Sequence, residues 1–188
     1  LWIRQKRSNH TQLPQKLASL LTVAFKSSNQ SNLSSETNSE INKIIRIIND
    51  HPFPDQPLQP TLLQYTPPPI LSNNFVENVL GRLFAAHSNG LKALEFFKFY
   101  LHHSQFCPSP DVFEKTLHIL TRMRYFDKAW ELMEEIHQKH PSLLTLKSMS
   151  IMLSKIAKFQ SFEDTLEAFQ KMENDIFAGR KFGTDEFR

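Results

Sequence analysis

The chain has 188 residues, which is enough for one domain with a proper hydrophobic core, or for one domain plus a tail. It contains only 4 glycines, which favours helices over tightly turned β-structure, and its formal net charge of +3 is compatible with an anionic partner. Its sequence contains no stretch of roughly 18 uninterrupted apolar residues, the length of a membrane span, and its single cysteine cannot form an internal disulfide.

The first predicted segment is a basic leader over residues 1–35. It contains no Asp or Glu, it is rich in Ser and Asn, and apolar residues recur at helical spacing through residues 17–25. This composition is typical of an organelle transit peptide, and the alternative is a disordered tail with one short helix. Because the chain starts at Leu1 and not at Met, we also expect it to be a fragment or a processed form.

A linker is expected over residues 36–70. Residues 27–40 are polar and low in complexity, which predicts disorder. Ile41, Ile44, Ile45 and Ile48 lie on one helical face, with a short strand as the alternative. Residues 51–69 hold seven of the 11 prolines, so we expect an extended connector that lies against the following domain. The N-terminal region is therefore predicted to be largely irregular.

Internal repetition dominates the chain from residue 71 onward. Segments that begin at Leu94, Trp130 and Leu166 align without gaps, each 36 residues after the previous one, and a small residue precedes each of them. The same offset, applied earlier in each unit, pairs Phe84 with Leu120. A regular period of this length indicates a repeat architecture, although chance similarity within an unrelated helical bundle is the alternative.

Each unit is predicted to contain two amphipathic helices joined by a turn. The units occupy approximately residues 74–109, 110–145 and 146–183, and residues 184–188 resemble the start of a fourth. A single helical hairpin cannot bury its own apolar face, whereas stacked hairpins can, so the repeat predicts an all-α solenoid. We expect the natural protein to continue with more repeats.

The second helices carry the most distinctive residues. The stretches KALEFFKFYL, DKAWELMEEI and DTLEAFQKME resemble the Ala-Leu-Glu-Leu-Phe-like start of the second helix in the pentatricopeptide repeat. The resemblance covers roughly residues 74–188 and is closest to the P-class organellar proteins of land plants. The tetratricopeptide repeat is the nearest alternative, but its unit has 34 residues and carries Gly and Tyr in its first helix. The resemblance implies a right-handed α-solenoid.

The resemblance also implies a way of binding single-stranded RNA, with about one base per repeat. The base would meet a polar side chain in the second turn of each first helix, which corresponds to Asn78, Glu114 and Ser150 in this chain. These three residues are therefore the candidate base contacts.

A second base contact would come from the end of each unit, which falls at Pro108, Leu144 and Arg180. Pro108 and Leu144 offer no side-chain hydrogen bond, which puts base reading by these units in doubt. Arg122 and Lys158 share a column and are candidate phosphate contacts, with ordinary solvated charges as the alternative.

Other sequence features give little support to a catalytic site or a metal site. Cys107 could be a nucleophile beside His102, but a cysteine in a turn is the simpler interpretation. His137 and His140 have helical spacing, yet no further ligands complete a metal site. We therefore expect no enzymatic activity, no metal or other cofactor, no small-molecule substrate and no membrane association.

Two functions remain from the sequence. The first is an RNA-binding repeat protein in organellar RNA processing, meaning intron splicing, maturation or stabilisation, with the mitochondrion preferred and the plastid as the alternative. Its partners would be single-stranded organellar RNA and other RNA-processing or ribosomal proteins, and this segment would be the N-terminal cap and first repeats. The second is a protein-interaction scaffold, for example a ribosome-associated or tetratricopeptide-like repeat protein.

Overall fold

The computed structural model describes residues 35–66, 70–105 and 107–178. These residues form eight α-helices and no strand, which confirms the all-α fold class. The predicted leader before residue 35 and the start of a fourth unit at 184–188 lie outside the described residues. The helices in chain order are α1 (Ser35–Asp50), α2 (Leu58–Tyr65), α3 (Asn73–Ala85), α4 (Gly90–His103), α5 (Pro110–Arg122), α6 (Phe126–Lys139), α7 (Leu146–Phe159) and α8 (Phe162–Lys171).

The helices pair into successive hairpins that stack on one another, as the solenoid prediction requires. Helices α3, α5 and α7 pack side by side and form what we call the first-helix layer. Helices α4, α6 and α8 are the second helices, and each packs on the first helix of its own hairpin. The division of the chain into a leader, a linker and repeats stays a prediction.

The turns and caps explain where the helices begin. Ser72 accepts a hydrogen bond from the backbone N–H of Phe75, at 3.3 Å, and so caps α3. Ser161 and Asp164 satisfy each other's backbone N–H groups at the start of α8, which is a capping box. Pro110 occupies the first turn of α5, where its missing N–H costs nothing.

The N-terminal region is more helical than predicted. Helix α1 begins at Ser35, so the last part of the expected disordered linker is helical. Burial of Ile41, Ile44 and Ile48 against α3 and α4 overrides the weak helix propensity of β-branched residues. Tertiary packing therefore decides the conformation of this segment.

The proline-rich connector also contains a helix that the sequence did not predict. In α2, Pro57 is the N-cap and Pro60 lies in the first turn, where a backbone N–H would have no acceptor within the helix. Leu58 and Leu62 are buried on one face of α2, which packs on α4. The connector is thus partly helical and not simply extended.

Two cationic side chains attach α1 to the repeats. Arg82 of α3 donates hydrogen bonds to the side-chain oxygens of Asn38 and Asn42. Lys92 of α4 is buried, and its Nζ donates to the backbone carbonyl of Asn49 at 2.6 Å, in the last turn of α1. Because α1 also packs on α3, as α3 packs on α5, it continues the row of first helices on the N-terminal side.

The repeat spacing differs between the two kinds of helix. The second helices begin 36 residues apart, at Gly90, Phe126 and Phe162, as predicted. The caps of α3 and α5, however, are Ser72 and Ser109, which are 37 residues apart. The loop after α3 is one residue longer than the loop after α5, which absorbs the difference.

The extra residue corrects the predicted alignment of the first helix. The buried residue Leu83 takes the place equivalent to Leu120, whereas Phe84 is only half-buried and aligns with Thr121. A shift of one residue turns a side chain by roughly 100° around a helix, so the predicted pairing of Phe84 with Leu120 is wrong.

Candidate nucleic-acid interface

Charge is divided unequally between the two kinds of helix. Within the described ranges of α3, α5 and α7 there are six basic and three acidic side chains, which gives a net charge of +3. In α4, α6 and α8 there are five basic and eight acidic side chains, which gives a net charge of −3. The first-helix layer is therefore the side of this region that attracts an anion.

The positive charge of the first-helix layer concentrates around a half-buried histidine, His118. Lys115 and Arg122 lie on the same face of α5 as His118, three and four residues away from it. Burial, and then the charges of Lys155, Lys147, Lys115 and Arg122, together lower the pKa of His118 to about 4. The imidazole is therefore neutral at pH 7. We call these five residues the His118 cluster.

Arg122, a predicted phosphate contact, also has a structural role. Its guanidinium lies 3.7 Å from the centre of the Phe84 ring and donates a hydrogen bond to the Phe84 carbonyl near the end of α3. The edge of His118 packs on the same ring, with 6.2 Å between the centroids. Burial lowers the pKa of Arg122, but a guanidinium stays charged. Because Arg122 has further N–H donors, an anion can still approach it.

Lys158, the other predicted phosphate contact, is exposed near the end of α7. Its Nζ lies 5.4 Å from the centre of the Phe159 ring. Neither Lys158 nor the half-buried Lys155 forms an ion pair with another described residue. Both charges are therefore available to an outside anion.

The three predicted base contacts do not occupy equivalent positions. The 37-residue spacing of α3 and α5 puts Glu77, and not Asn78, at the position of Glu114. Asn78 donates hydrogen bonds to the carbonyl of Asn74 at 2.7 Å and to its side-chain oxygen at 2.9 Å. Glu77 instead lies 3.4 Å from the Nζ of Lys115, in an ion pair between adjacent hairpins.

Glu114 is held by the next hairpin. The residue is 4% exposed, and its carboxylate accepts a hydrogen bond from Thr145 at 2.5 Å and lies 2.6 Å from the Nζ of Lys147. Thr145 is the N-cap of α7, so this contact joins the second turn of α5 to the start of α7. We call the three residues the Glu114 clasp.

Lys147 has a second carboxylate within reach, since Asp111 lies 3.4 Å from its Nζ. Burial lowers the pKa of Lys147, but the hydrogen bonds and charges of Glu114 and Asp111 outweigh burial and raise it overall. The ammonium group therefore stays charged and tied to the clasp.

Ser150, the third predicted base contact, is fully buried, at 0% exposure. At the unit ends, Pro108 is half-buried and Leu144 is buried, while Arg180 lies outside the described residues. The structure therefore brings none of the predicted base contacts together on an open surface, whereas it leaves one predicted phosphate contact, Lys158, exposed.

The His118 cluster was not identified from the sequence. Its members on α5 could have been found there, because Lys115, His118 and Arg122 follow one another at three- and four-residue spacing. Lys147 and Lys155 join them only through the packing of α7 on α5. Cys107 is exposed, and no group of three potential metal ligands occurs among the described residues.

No helix within the described part of the chain combines the length and apolar character needed to cross a membrane.

Comparison with known sequences gives relatives of one kind. One pentatricopeptide repeat-containing protein of Arabidopsis thaliana is 59% identical over 168 residues, which cover 89% of this chain and 34% of the relative. A second such protein is 35% identical over 101 residues, which cover 54% of this chain and 21% of that relative. A third is 26% identical over 102 residues, or 54% of this chain and 16% of that relative.

These relatives are much longer than the chain, which spans about a third of the length of the first of them. No protein-family model matches the chain, and no solved structure matches it.

Proposed function

Since the chain belongs to the pentatricopeptide repeat family, we propose that it binds single-stranded RNA through its first-helix layer. It would be the N-terminal cap and first repeats of a longer RNA-binding protein, and it would act by binding and not by catalysis. The observation that carries this proposal is the net charge of +3 on the first helices against −3 on the second helices.

The physical basis of binding is electrostatic. A single strand carries one negative charge per nucleotide, and cations that neutralise phosphates release bound counterions into solution. Lys155 and Lys158 of α7 and the further N–H donors of Arg122 of α5 offer such positive charges. The affinity should therefore fall steeply as the salt concentration rises.

In the cell, the full protein would act in mitochondrial RNA processing, through intron splicing, maturation or stabilisation of transcripts. The plastid is the alternative compartment. The basic, acid-free composition of residues 1–35 supports an organellar location. Other RNA-processing or ribosomal proteins would be further partners.

Crosslinking in intact cells tests this function and its location together. The tagged full-length protein would be crosslinked to RNA, purified separately from mitochondrial and plastid fractions, and its bound RNA sequenced. We expect one or a few mitochondrial transcripts to be enriched over a tagged control protein. Enrichment of plastid transcripts would contradict the location, and enrichment of no transcript in either fraction would contradict RNA binding.

A protein-interaction scaffold is the second candidate function. The Glu114 clasp and the burial of Ser150 favour it, because second-turn side chains that are held within the protein do not contact the bases of an RNA. Ribonuclease treatment before purification separates the two functions. Partner proteins that stay bound after the RNA is destroyed would support the scaffold.

A further inference from the structure

The second-turn side chains of all three hairpins are engaged within the protein. Glu77 pairs with Lys115 of the next hairpin at 3.4 Å, and Glu114 is tied to Thr145 and Lys147. Ser150 is fully buried. A nucleotide base that approaches this part of the first-helix layer therefore meets no open polar side chain at these positions.

Two lysines of α7 remain without an ion-pair partner among the described residues. Lys158 is exposed and Lys155 half-exposed, and no described carboxylate pairs with either of them. Lys155 also belongs to the His118 cluster, which the packing of α7 on α5 brings together. Lys115 and Lys147 of this cluster already pair with Glu77 and Glu114, so Lys155 and the further N–H donors of Arg122 are what the cluster offers to a phosphate. A neutral imidazole can donate one hydrogen bond to a phosphate oxygen without adding to the charge of the cluster.

We propose that this region holds RNA by its phosphates alone, at the His118 cluster and Lys158, and selects no base. The residues at the positions that would read a base, Glu77, Glu114 and Ser150, are already engaged within the protein. The proposal rests on the RNA binding proposed above and specifies its chemistry. It makes these hairpins a sequence-independent anchor for a single strand, so any choice of sequence must be made by other parts of the full protein.

The energetic comparison favours this arrangement. Glu114 would have to leave Thr145 and Lys147 before it could accept a hydrogen bond from a base, and Lys147 would then lose its closest partner. The Lys147 side chain is 39% exposed but that of Glu114 is only 5% exposed, so the main cost is a buried carboxylate deprived of its partners, and this cost offsets what a single base contact returns. Glu114 would also repel the phosphates that flank the base.

The first experiment compares strands that differ only in their bases. Fluorescence anisotropy would measure binding of the 188-residue chain to uridine, adenosine and cytidine homopolymers, and to a strand of abasic sites, each about 20 nucleotides long. We expect the four affinities to agree within about threefold at one salt concentration. A preference of about tenfold for one base, or loss of binding to the abasic strand, would contradict phosphate-only binding. Absence of binding to every strand would contradict the proposed RNA-binding function itself.

The second experiment tests the location with matched charge changes. The variant Lys155→Gln/Lys158→Gln removes two cations from α7, and the control Lys128→Gln/Lys139→Gln removes two exposed cations from α6. We expect the α7 variant to lose about tenfold in affinity at low salt and to lower the slope of log affinity against log salt by about 1.4, or about 0.7 for each phosphate contact. The control should change the affinity and the salt slope much less. Equal losses in the two variants would mean that only the net charge matters, which would overturn the site.

The third measurement uses His118 as a reporter. A phosphate bound in the cluster favours the imidazolium, so the pKa of His118 should rise from about 4 when RNA is added. Nuclear magnetic resonance of the imidazole protons during a pH titration, with and without the uridine strand, measures this directly. An unchanged pKa in a sample saturated with RNA would show that the phosphates lie elsewhere.

Discussion

His118 is the residue whose environment most affects the behaviour of the chain with pH. Because burial, and then four neighbouring cations, lower its pKa from 6.5 to about 4, the unfolded chain binds a proton in this interval that the folded chain does not. Stability contributed by neutral His118 is complete above pH 6.5 and is lost as the pH falls towards 4. The substitution His118→Gln removes this titration.

We therefore predict that the free energy of unfolding of the wild type, compared with that of His118→Gln, falls by about 2–3 kcal/mol between pH 7 and pH 4. Urea denaturation at a series of pH values, followed by circular dichroism, measures both proteins. Parallel pH profiles for the two proteins would show that His118 does not lie in a half-buried site among cations in the folded chain.

His87 has a strained backbone conformation whose energetic cost can be measured. Its φ of 54° lies in the left-handed region, at the end of α3, where the backbone N–H of Ser88 bonds to the carbonyl of Leu83 at 3.0 Å. The side chain is exposed, so His87→Gly should relieve the strain without loss of packing. We predict a gain of about 1 kcal/mol in stability.

A glycine placed within a regular helix should have the opposite effect. Ala157 is exposed on α7, and Ala157→Gly should cost about 1 kcal/mol. Thermal or urea unfolding of the two variants beside the wild type decides the matter. Destabilisation by both substitutions would show that residue 87 does not adopt the left-handed conformation.

Among the elements, α1 makes the least expected contribution, because it behaves as part of the stack. Lys92 is buried and donates to the carbonyl of Asn49, which belongs to the last turn of α1. A cation at the C-terminal end of a helix is also attracted by the negative end of the helix dipole. The contact can form only if α1 packs against α4.

We predict that Lys92→Met lowers the free energy of unfolding by about 1–2 kcal/mol, because a charged hydrogen bond inside the protein is lost. Lys128→Met is the matched control, since Lys128 is exposed and, among the residues that the structure describes, pairs only with Glu131, and it should cost less than about 0.5 kcal/mol. Hydrogen exchange should show faster exchange in α1 for Lys92→Met only. If the two variants unfolded alike, α1 would not be attached through Lys92.

The helices differ in how well they could be predicted from the sequence. The second helices were predictable because their similar residues repeat every 36 positions, and the start of α8 followed from Ser161 and Asp164. The single extra residue in the loop after α3 was hidden, since an alignment without gaps cannot place it. The gapless alignment therefore named Asn78 as the base contact where Glu77 is the equivalent residue, and it paired Phe84 with Leu120 where Thr121 is the equivalent residue.

At the scale of the whole molecule, the stacking of hairpins followed from the repeat, because one hairpin leaves an apolar face that only a neighbour can cover. The candidate site did not follow in the same way. The Glu114 clasp depends on the distance between the second turn of α5 and the cap of α7, and the His118 cluster combines side chains of two helices. Such contacts between successive hairpins are set by tertiary packing and leave no periodic signal in a single sequence.

The separation of charge between the two kinds of helix is the property on which the functional proposal depends. Crosslinking of the chain to a 4-thiouridine single strand, followed by mass spectrometry of the attached peptides, shows directly which side binds. We expect attachment within Pro110–Arg122 and Leu146–Phe159, on the first helices. Attachment confined to Phe126–Lys139 and Phe162–Lys171, on the second helices, would contradict it.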